Sequence, residues 1–401
     1  MDDERPPTLT LSHLWGRFLR FGLLAWGGPV AQIAMLRREL VEEERWISPD
    51  RFNRTLAVYQ VLPGPEAHEL TVFFGYLARG RIGGFLAGLG FMLPGFLLML
   101  GLSWLYFEVG LTSPTVAAFF AGAQVAVLAL IVRAVHRIGA HAISSRWLVA
   151  IGLVSFGASL AGVHFAFVLA AAGVAHALTE RGWRVAGGIV LVSLVMGAAV
   201  SVSTQQAVTI DTTARPEAAA APGEVPPSDM LAAGLRAGLL SFGGAYSALP
   251  VIEADAAAGG WLDRSTLLDG VALAGVLPAP LIIFATFVGY AAGGLPGALA
   301  ITVGVFLPAF AFTLVGHRWV ERLVAHRGAH SFLDGVTAGV VGLIAVVVVR
   351  FTPAMLTSVA AVALSLLALM ALYRWKAGWV VAVVVLVAGT ASVLWHVVLV
   401  A

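Results

Sequence analysis

Cysteine is absent from this 401-residue chain, which excludes disulfides, thiolate metal sites and cysteine nucleophiles together. Charge is scarce. Only 11% of the residues are Asp, Glu, Lys or Arg and the formal net charge is +2, with the arginines dispersed among loops, so no nucleic-acid partner is expected. The stretch HEL at 68–70 lacks the second histidine of HExxH, and no GxSxG elbow occurs. An intramembrane enzyme is therefore not expected, and neither is a metal ion or a cofactor.

What fills the chain is hydrocarbon: 59% of the residues are hydrophobic and the mean hydropathy is +0.91, far above a soluble domain. Apolar segments close to the roughly 20 residues needed to cross a bilayer recur at 83–107, 114–132, 147–180, 185–203, 297–317, 332–349, 354–373 and 378–399. Their uniform runs do not alternate as barrel strands do, so they read as helices. The expected class is an all-α polytopic membrane protein surrounded by lipid, with a homodimer left open as an assembly. The opening MDDERPPTLT, with Arg17 and Arg20 inside the first apolar stretch, does not make a cleavable signal peptide, so the first segment is expected to stay.

Self-comparison reveals a duplication. RFGLLAWGGP from Arg20, ERWIS from Glu44, LPGP from Leu62, TVFFGY from Thr71 and GGFLAGLGFMLPGF from Gly83 recur downstream. Their counterparts are RAGLLSFGGA from Arg236, GGWLD from Gly259, LPAP from Leu277, TFVGY from Thr286 and GALAITVGVFLPAF from Gly297, at an offset of about 215 residues throughout. The expected domains are a membrane repeat over 1–203, a flexible polar, Ala- and Pro-rich linker over 204–229, and a second repeat over 230–401.

Arginine placement orients the halves. Arg37, Arg38, Arg45, Arg51 and Arg54 crowd the loop after the first Gly-Gly-Pro, whereas the equivalent loop from Glu253 to Thr266 holds Arg264 beside Glu253, Asp255 and Asp263. By the positive-inside rule the first loop is cytoplasmic and the second faces outward. Arg79, Arg81, Arg133, Arg137, Arg146, Arg181 and Arg184 mark further cytoplasmic loops, as do Arg318, Arg322, Arg327, Arg374 and Lys376. Arg350 is the exception. The N-terminus is thus expected in the cytoplasm and the C-terminus in the periplasm or outside, with the second half inverted, which is a hallmark of secondary transporters.

Residues 49–62 and 66–78 are each too short to cross alone, and arginines at their outer ends call for one membrane face. They predict a re-entrant hairpin with its tip at Pro63-Gly64-Pro65 rather than one kinked span. WGGP at 26–29, FGGA at 242–245 and LPAP at 277–280 predict three more tips. Proline suits a helix start, glycine permits a tight turn and close ligand approach, and a half-helix start offers unpaired amides and partial positive charge to an anion. Small residues at close helix contacts would leave the same motifs.

The linked set WGGPVAQIAMLRRELVEEERWIS, QVLPGPEAHELTVFFGY and GFMLPGF, with FGGAYSALPVIE, GVLPAPLIIFATFVGY and FLPAF, resembles the long, two-domain form of the chromate ion transporter family, from about Phe18 to about Arg350. The resemblance implies a bacterial inner-membrane carrier that expels chromate and confers resistance to it, with sulfate as a similar oxyanion. Two positions depart from it: Ala279 stands where the family usually has the tip glycine, and Gly275 stands opposite Gln60. Both point to a weaker or merely structural second site.

The candidate oxyanion-binding residues are Gly27, Gly28, Pro29, Pro63, Gly64, Pro65, Gly243, Gly244, Pro278 and Pro280, with Thr71 and Thr286 as hydroxyl donors and Arg20 and Arg236 as compensating charges. The threonines could equally bond back to their own helices, and the arginines could anchor at the interfaces. Glu66, His68 and Glu69 occur only in the first half, where a group that must be neutral for an anion to bind would couple transport to protons. An acid in a first helical turn is also favoured by the helix dipole alone. A carrier for sulfate or another anion, and an anion channel, are the competing functions.

Overall fold

In a computed structural model, residues 9–108, 113–208, 225–242, 245–315, 327–375 and 377–400 are described. Gly243, Gly244, Arg318, Arg322, Lys376 and the linker residues 209–224 lie outside them. The described residues are helical. In chain order the helices are α1 (Leu11–Leu23), α2 (Pro29–Leu36, continuing as a π-helix over Arg37–Glu43), α3 (Pro49–Val61), α4 (Glu66–Glu108), α5 (Pro114–Ala142), α6 (Arg146–Leu160), α7 (Phe165–Glu180) and α8 (Arg184–Val208). The second half supplies α9 (Pro227–Leu239), α10 (Leu249–Gly259), α11 (Arg264–Val276), α12 (Phe284–Leu314), α13 (Arg327–Met355), α14 (Val359–Arg374) and α15 (Val380–Val400). Five of these stretches, in α4, α5, α12, α13 and α15, are long and apolar enough to cross a membrane. The chain is an integral membrane protein.

The repeat is visible in the backbone. In α4 the helix breaks at Arg79 (φ −144°, ψ 28°) and Gly80 (φ 63°, ψ −153°). In α12 it breaks 214 residues later, at Gly293 (φ −132°, ψ 18°) and Gly294 (φ 60°, ψ −153°). The second residue of each pair sits in a region open only to glycine. At both breaks the chain reverses and the two arms of the helix pack together. A β-carbon on Gly75 would lie 2.5 Å from the Gly83 carbonyl oxygen, and one on Gly289 would lie 2.6 Å from that of Gly297. The preceding turns match too: Ser48 caps α3 by accepting from the Arg51 amide, and Asp263 caps α11 by accepting from the Thr266 amide. Leu62 and Leu277, each before a proline, end their helices in extended conformation.

The expected hairpin at Pro63-Gly64-Pro65 forms. Phe52 and Phe74 stack with ring centroids 6.3 Å apart, whereas a continuous helix would separate them by roughly 33 Å. The second hairpin closes the same way, since a β-carbon on Gly270 would meet the Phe287 ring at 2.5 Å.

The described residues divide into two compact units that each draw on both sequence halves. The first comprises Met1–Leu130, Ala219–His317 and Ala354–Ala401. Within it α1 lies on the C-terminal arm of α4 and α9 on that of α12, through matched glycines. A β-carbon on Gly22 would meet the Phe91 carbonyl oxygen at 2.5 Å, and one on Gly238 would meet that of Val305 at 2.5 Å. The C-terminal arms of α4 and α12 pack on each other with Gly84 against Leu314 and Gly88 against Phe310. Position numbers rise in one arm as they fall in the other, so equivalent helices run antiparallel: the repeats are inverted.

The second unit comprises Ile131–Ala218 and Arg318–Pro353. Here α13 packs on α6 and α7 through Gly342 against the Gly152 carbonyl and Gly335 against the Ala172 carbonyl. The anomalous Arg350 has a local explanation, because its guanidinium donates to the Ser159 carbonyl at 3.1 Å at the C-terminal end of α6, where the helix dipole favours a cation. Helix also enters the segment assigned to the linker at both ends, α8 reaching Val208 and α9 starting at Pro227, where Pro226 and Pro227 suit a helix start.

Because the arm reversals rest on backbone-to-backbone contact, Gly75→Val and Gly289→Val should each destabilise by about 1–3 kcal/mol or more. Gly101→Val, with open space around it, should not. Thermal unfolding midpoints in detergent check this.

Candidate functional site

The PGP tip presents one backbone donor, since Pro63 and Pro65 have none. That donor, the Gly64 amide, is given to the Ser241 carbonyl in the second half at 2.8 Å. Ser241 is buried beside Ser247, their hydroxyls 3.5 Å apart. The first LPGP tip is thereby set against the segment leading into the second Gly-Gly. In return, the second LPAP tip rests on the first half: the Ala279 methyl occupies the space that a β-carbon on Gly95 would need, 2.3 Å away. The Ala279 amide stays local, on the Leu277 carbonyl at 2.9 Å.

Glu66 and Glu69 follow the first tip, one helical turn apart and on one face. Both are buried, and Glu69 is fully enclosed. Among the described residues neither Glu69 carboxylate oxygen has a hydrogen-bond partner, and a β-carbon on Gly64 would lie 2.8 Å from Oε1. His68 points elsewhere, its ring against Phe306 and Phe310 of α12 at centroid distances of 4.9 and 4.8 Å.

The other expected residues fall into distinct roles. Gly27 (φ 88°) and Gly28 (φ 78°) both need glycine's freedom. Gly27 is also a contact glycine, since a β-carbon there would lie 2.1 Å from the Gly378 α-carbon, whereas Gly28 faces open space and caps α2 ahead of Pro29. Gln32 ties this tip together by donating to the Ala25 carbonyl at 2.8 Å. The Thr71 hydroxyl bonds back to the Ala67 carbonyl at 2.7 Å. Thr286 pairs with Thr302 at 2.7 Å, deep between the arms of α12. Pro278 and Pro280 flank the seated Ala279. Gly243 and Gly244 fall outside the described residues.

Arg20 and Arg236 are each held by an acid at the same position of the repeat: Arg20 by Glu39 at 3.3 Å and Arg236 by Asp255 at 3.1 Å. Both guanidinium groups are substantially exposed, so the pairs staple α1 to the α2 extension and α9 to α10. Nearby, Arg17 bonds Glu44 and lies over the Phe21 and Trp46 rings. Burial raises the Glu44 carboxyl, but hydrogen bonds from Arg17 and Trp46 outweigh it and hold it below the ordinary glutamate value.

One buried acid escaped the sequence reading. Asp269 of α11 accepts from the Tyr106 hydroxyl at 2.6 Å and from the Gln124 side-chain amide at 2.7 Å. Its signal was a lone acid among apolar neighbours, LLDGVALAG.

The comparisons with known proteins agree with this geometry. The chromate transporter family profile matches twice, over residues 12–177 and 228–393, once on each half. The chain belongs to the chromate transporter family. It is 53% identical over 391 residues to a chromate transport protein of Pseudomonas aeruginosa, covering 96% of this chain and 93% of the relative. It is 27% identical to the chromate transport protein of Cupriavidus metallidurans, covering 92% and 90%, and 24% identical to an uncharacterized transporter of Methanocaldococcus jannaschii, covering 90% and 89%. No solved structure matches. The family is one of transport proteins, so the buried carboxylates of this member are not read as an enzyme's.

Two outcomes follow. Gly27→Ala, which drives a β-carbon into backbone as well as straining it, should lower the unfolding midpoint more than Gly28→Ala, which meets no atom and costs the roughly 1–3 kcal/mol of a conformation open essentially only to glycine. Glu44, with its lowered folded value, contributes stability above the ordinary glutamate range that is lost as pH falls. Glu44→Gln should therefore be less stable near neutrality by at most about 1 kcal/mol for so exposed a pair, and the gap should close in acid unfolding curves.

Proposed function

We propose that the protein is a secondary transporter that exports chromate across the bacterial inner membrane and thereby confers chromate resistance. Its N-terminus is taken to lie in the cytoplasm and its C-terminus on the far side, as the loop arginines favour. The observation that carries the proposal is the meeting of inverted re-entrant tips from both halves beside a buried, unpartnered carboxylate. Inverted repeats place substrate sites where broken helices meet. The names of the Pseudomonas and Cupriavidus relatives supply the anion, and sulfate, similar in shape and charge, is the competing substrate.

The oxyanion is assigned to the half-helix starts after Gly27-Gly28-Pro29 and Pro63-Gly64-Pro65, with Gly243, Gly244, Pro278 and Pro280 as their second-half counterparts. Amides and aligned peptide dipoles at such starts favour negative charge. Arg20 and Arg236 then act by stapling the hairpins, and Thr71 and Thr286 by holding helices together. Glu69, with Glu66 beside it, is assigned the coupling proton: an ionised carboxylate there repels an oxyanion, so protonation and anion binding favour one another. His68, wedged between two phenylalanines, is left to packing.

The test is chromate and sulfate uptake in proteoliposomes with and without an imposed pH gradient. For a single linked proton, apparent affinity should fall by up to about tenfold per pH unit once the carboxyl ionises. Glu69→Gln should remove that dependence, beyond the protonation of chromate itself, which the variant shares with the wild type. No chromate movement under any gradient would refute the transport proposal, and flux proportional to concentration without saturation would identify a channel.

A further inference from the structure

We infer that Gly64 is a positioning residue for Glu69: the missing β-carbon at the PGP tip is the space in which the carboxylate is held. The inference rests on the reading of Glu69 as the coupling group and adds the device that places it. Glu69 is fully buried with both oxygens unpartnered. A β-carbon on Gly64 would stand 2.8 Å from its Oε1 and 3.0 Å from its Cδ, so the carboxylate would have to shift. A movement of the tip to make room would break the bond from its one amide to the Ser241 carbonyl. Gly64 also has φ +152°, a backbone state that side chains disfavour.

The duplication offers an internal comparison. At the equivalent tip the second half has Ala279 in place of Gly64 and Phe284 in place of Glu69. Glycine and acid are present together in one half and absent together from the other. Ala279 keeps ordinary negative φ, and its methyl is received by Gly95 across the interface of the halves. An LPxP tip therefore folds with alanine when no carboxylate lies beneath it. The glycine of the first half answers to Glu69.

On the helix of that carboxylate Glu66 lies one turn away, with Arg79, Arg81 and Glu108 farther along, and His68 faces Phe306 and Phe310 instead. The α3 helix brings Tyr59, whose ring stands against Phe73. The packed segment 237–252 carries no charged side chain, with Tyr246 its one titratable group. Pinned at the tip, the carboxylate changes charge where the oxyanion is proposed to sit. Displaced from it, protonation and anion binding separate.

The experiment is chromate uptake against pH in proteoliposomes for the wild type, Gly64→Ala, Glu69→Asp, Glu69→Gln and the double variant Gly64→Ala with Glu69→Asp. Gly64→Ala should flatten the pH profile and lower kcat/KM by about tenfold or more. The double variant should regain part of the pH response, because aspartate is one methylene shorter and leaves room for the added methyl. Should Gly64→Ala prove too unstable to assay, its unfolding midpoint in detergent should rise when Glu69→Asp is added. A wild-type pH profile in Gly64→Ala, or a double variant no better than Gly64→Ala in profile or midpoint, overturns the inference while leaving Glu69 as the coupling group. A wild-type profile in Glu69→Gln overturns both.

Discussion

The hydrogen bond from the Gly64 amide to the Ser241 carbonyl is the contact on which the centre of this protein turns. A chain that reverses away from water must satisfy every backbone polar group internally. The Pro-x-Pro sequence reduces that demand at its source, since two of its three residues have no donor. The remaining amide is directed across to the other half at the first tip and back onto Leu277 at the second. Each tip thus closes on itself or on its inverted partner, and the proposed substrate region is built from such closures rather than from a pocket of charged side chains.

Glycine distributes the halves around those tips. Gly22, Gly75 and Gly83 recur as Gly238, Gly289 and Gly297, and each brings a backbone carbonyl within reach of a helix axis. Lipid offers no hydrophobic drive for helices to associate, so close backbone packing carries more of the cohesion than it would in water. Matched pairs at one offset explain why the repeat survives in geometry even where side chains have diverged, as in Arg79-Gly80 against Gly293-Gly294.

Much of this was legible in the sequence. Helix class, duplication, inversion and the PGP hairpin follow from apolar length, offset and arginine placement, all backbone-scale constraints. The fates of single side chains were less legible. Arg20 and Arg236 read as candidate anion ligands because a sequence shows their common register but not the acids opposite them, Glu39 and Asp255, which share a register of their own. Thr71 and Thr286 read as donors because only coordinates reveal that Ala67 and Thr302 engage them. The arm reversal at Gly80 falls in the loop that Arg79 and Arg81 already marked, whereas the one at Gly294 has no charge beside it and only a glycine torsion marks the turn.

Asp269 and Glu69 are two buried acids held in different ways. Each lies buried, one per half, and each lacks a like residue at the mirrored position: Arg54 stands opposite Asp269, and Phe284 opposite Glu69. Asp269 has both oxygens engaged, by Tyr106 and Gln124, so it joins α4, α5 and α11 whatever else binds. Among the described residues Glu69 has neither oxygen engaged, and its carboxylate sits in the space left by the missing β-carbon of Gly64. A buried carboxylate without hydrogen bonds costs several kcal/mol if ionised, a cost it avoids by holding its proton. The acid left without a hydrogen-bond partner among the described residues is therefore the one proposed to couple transport to protons.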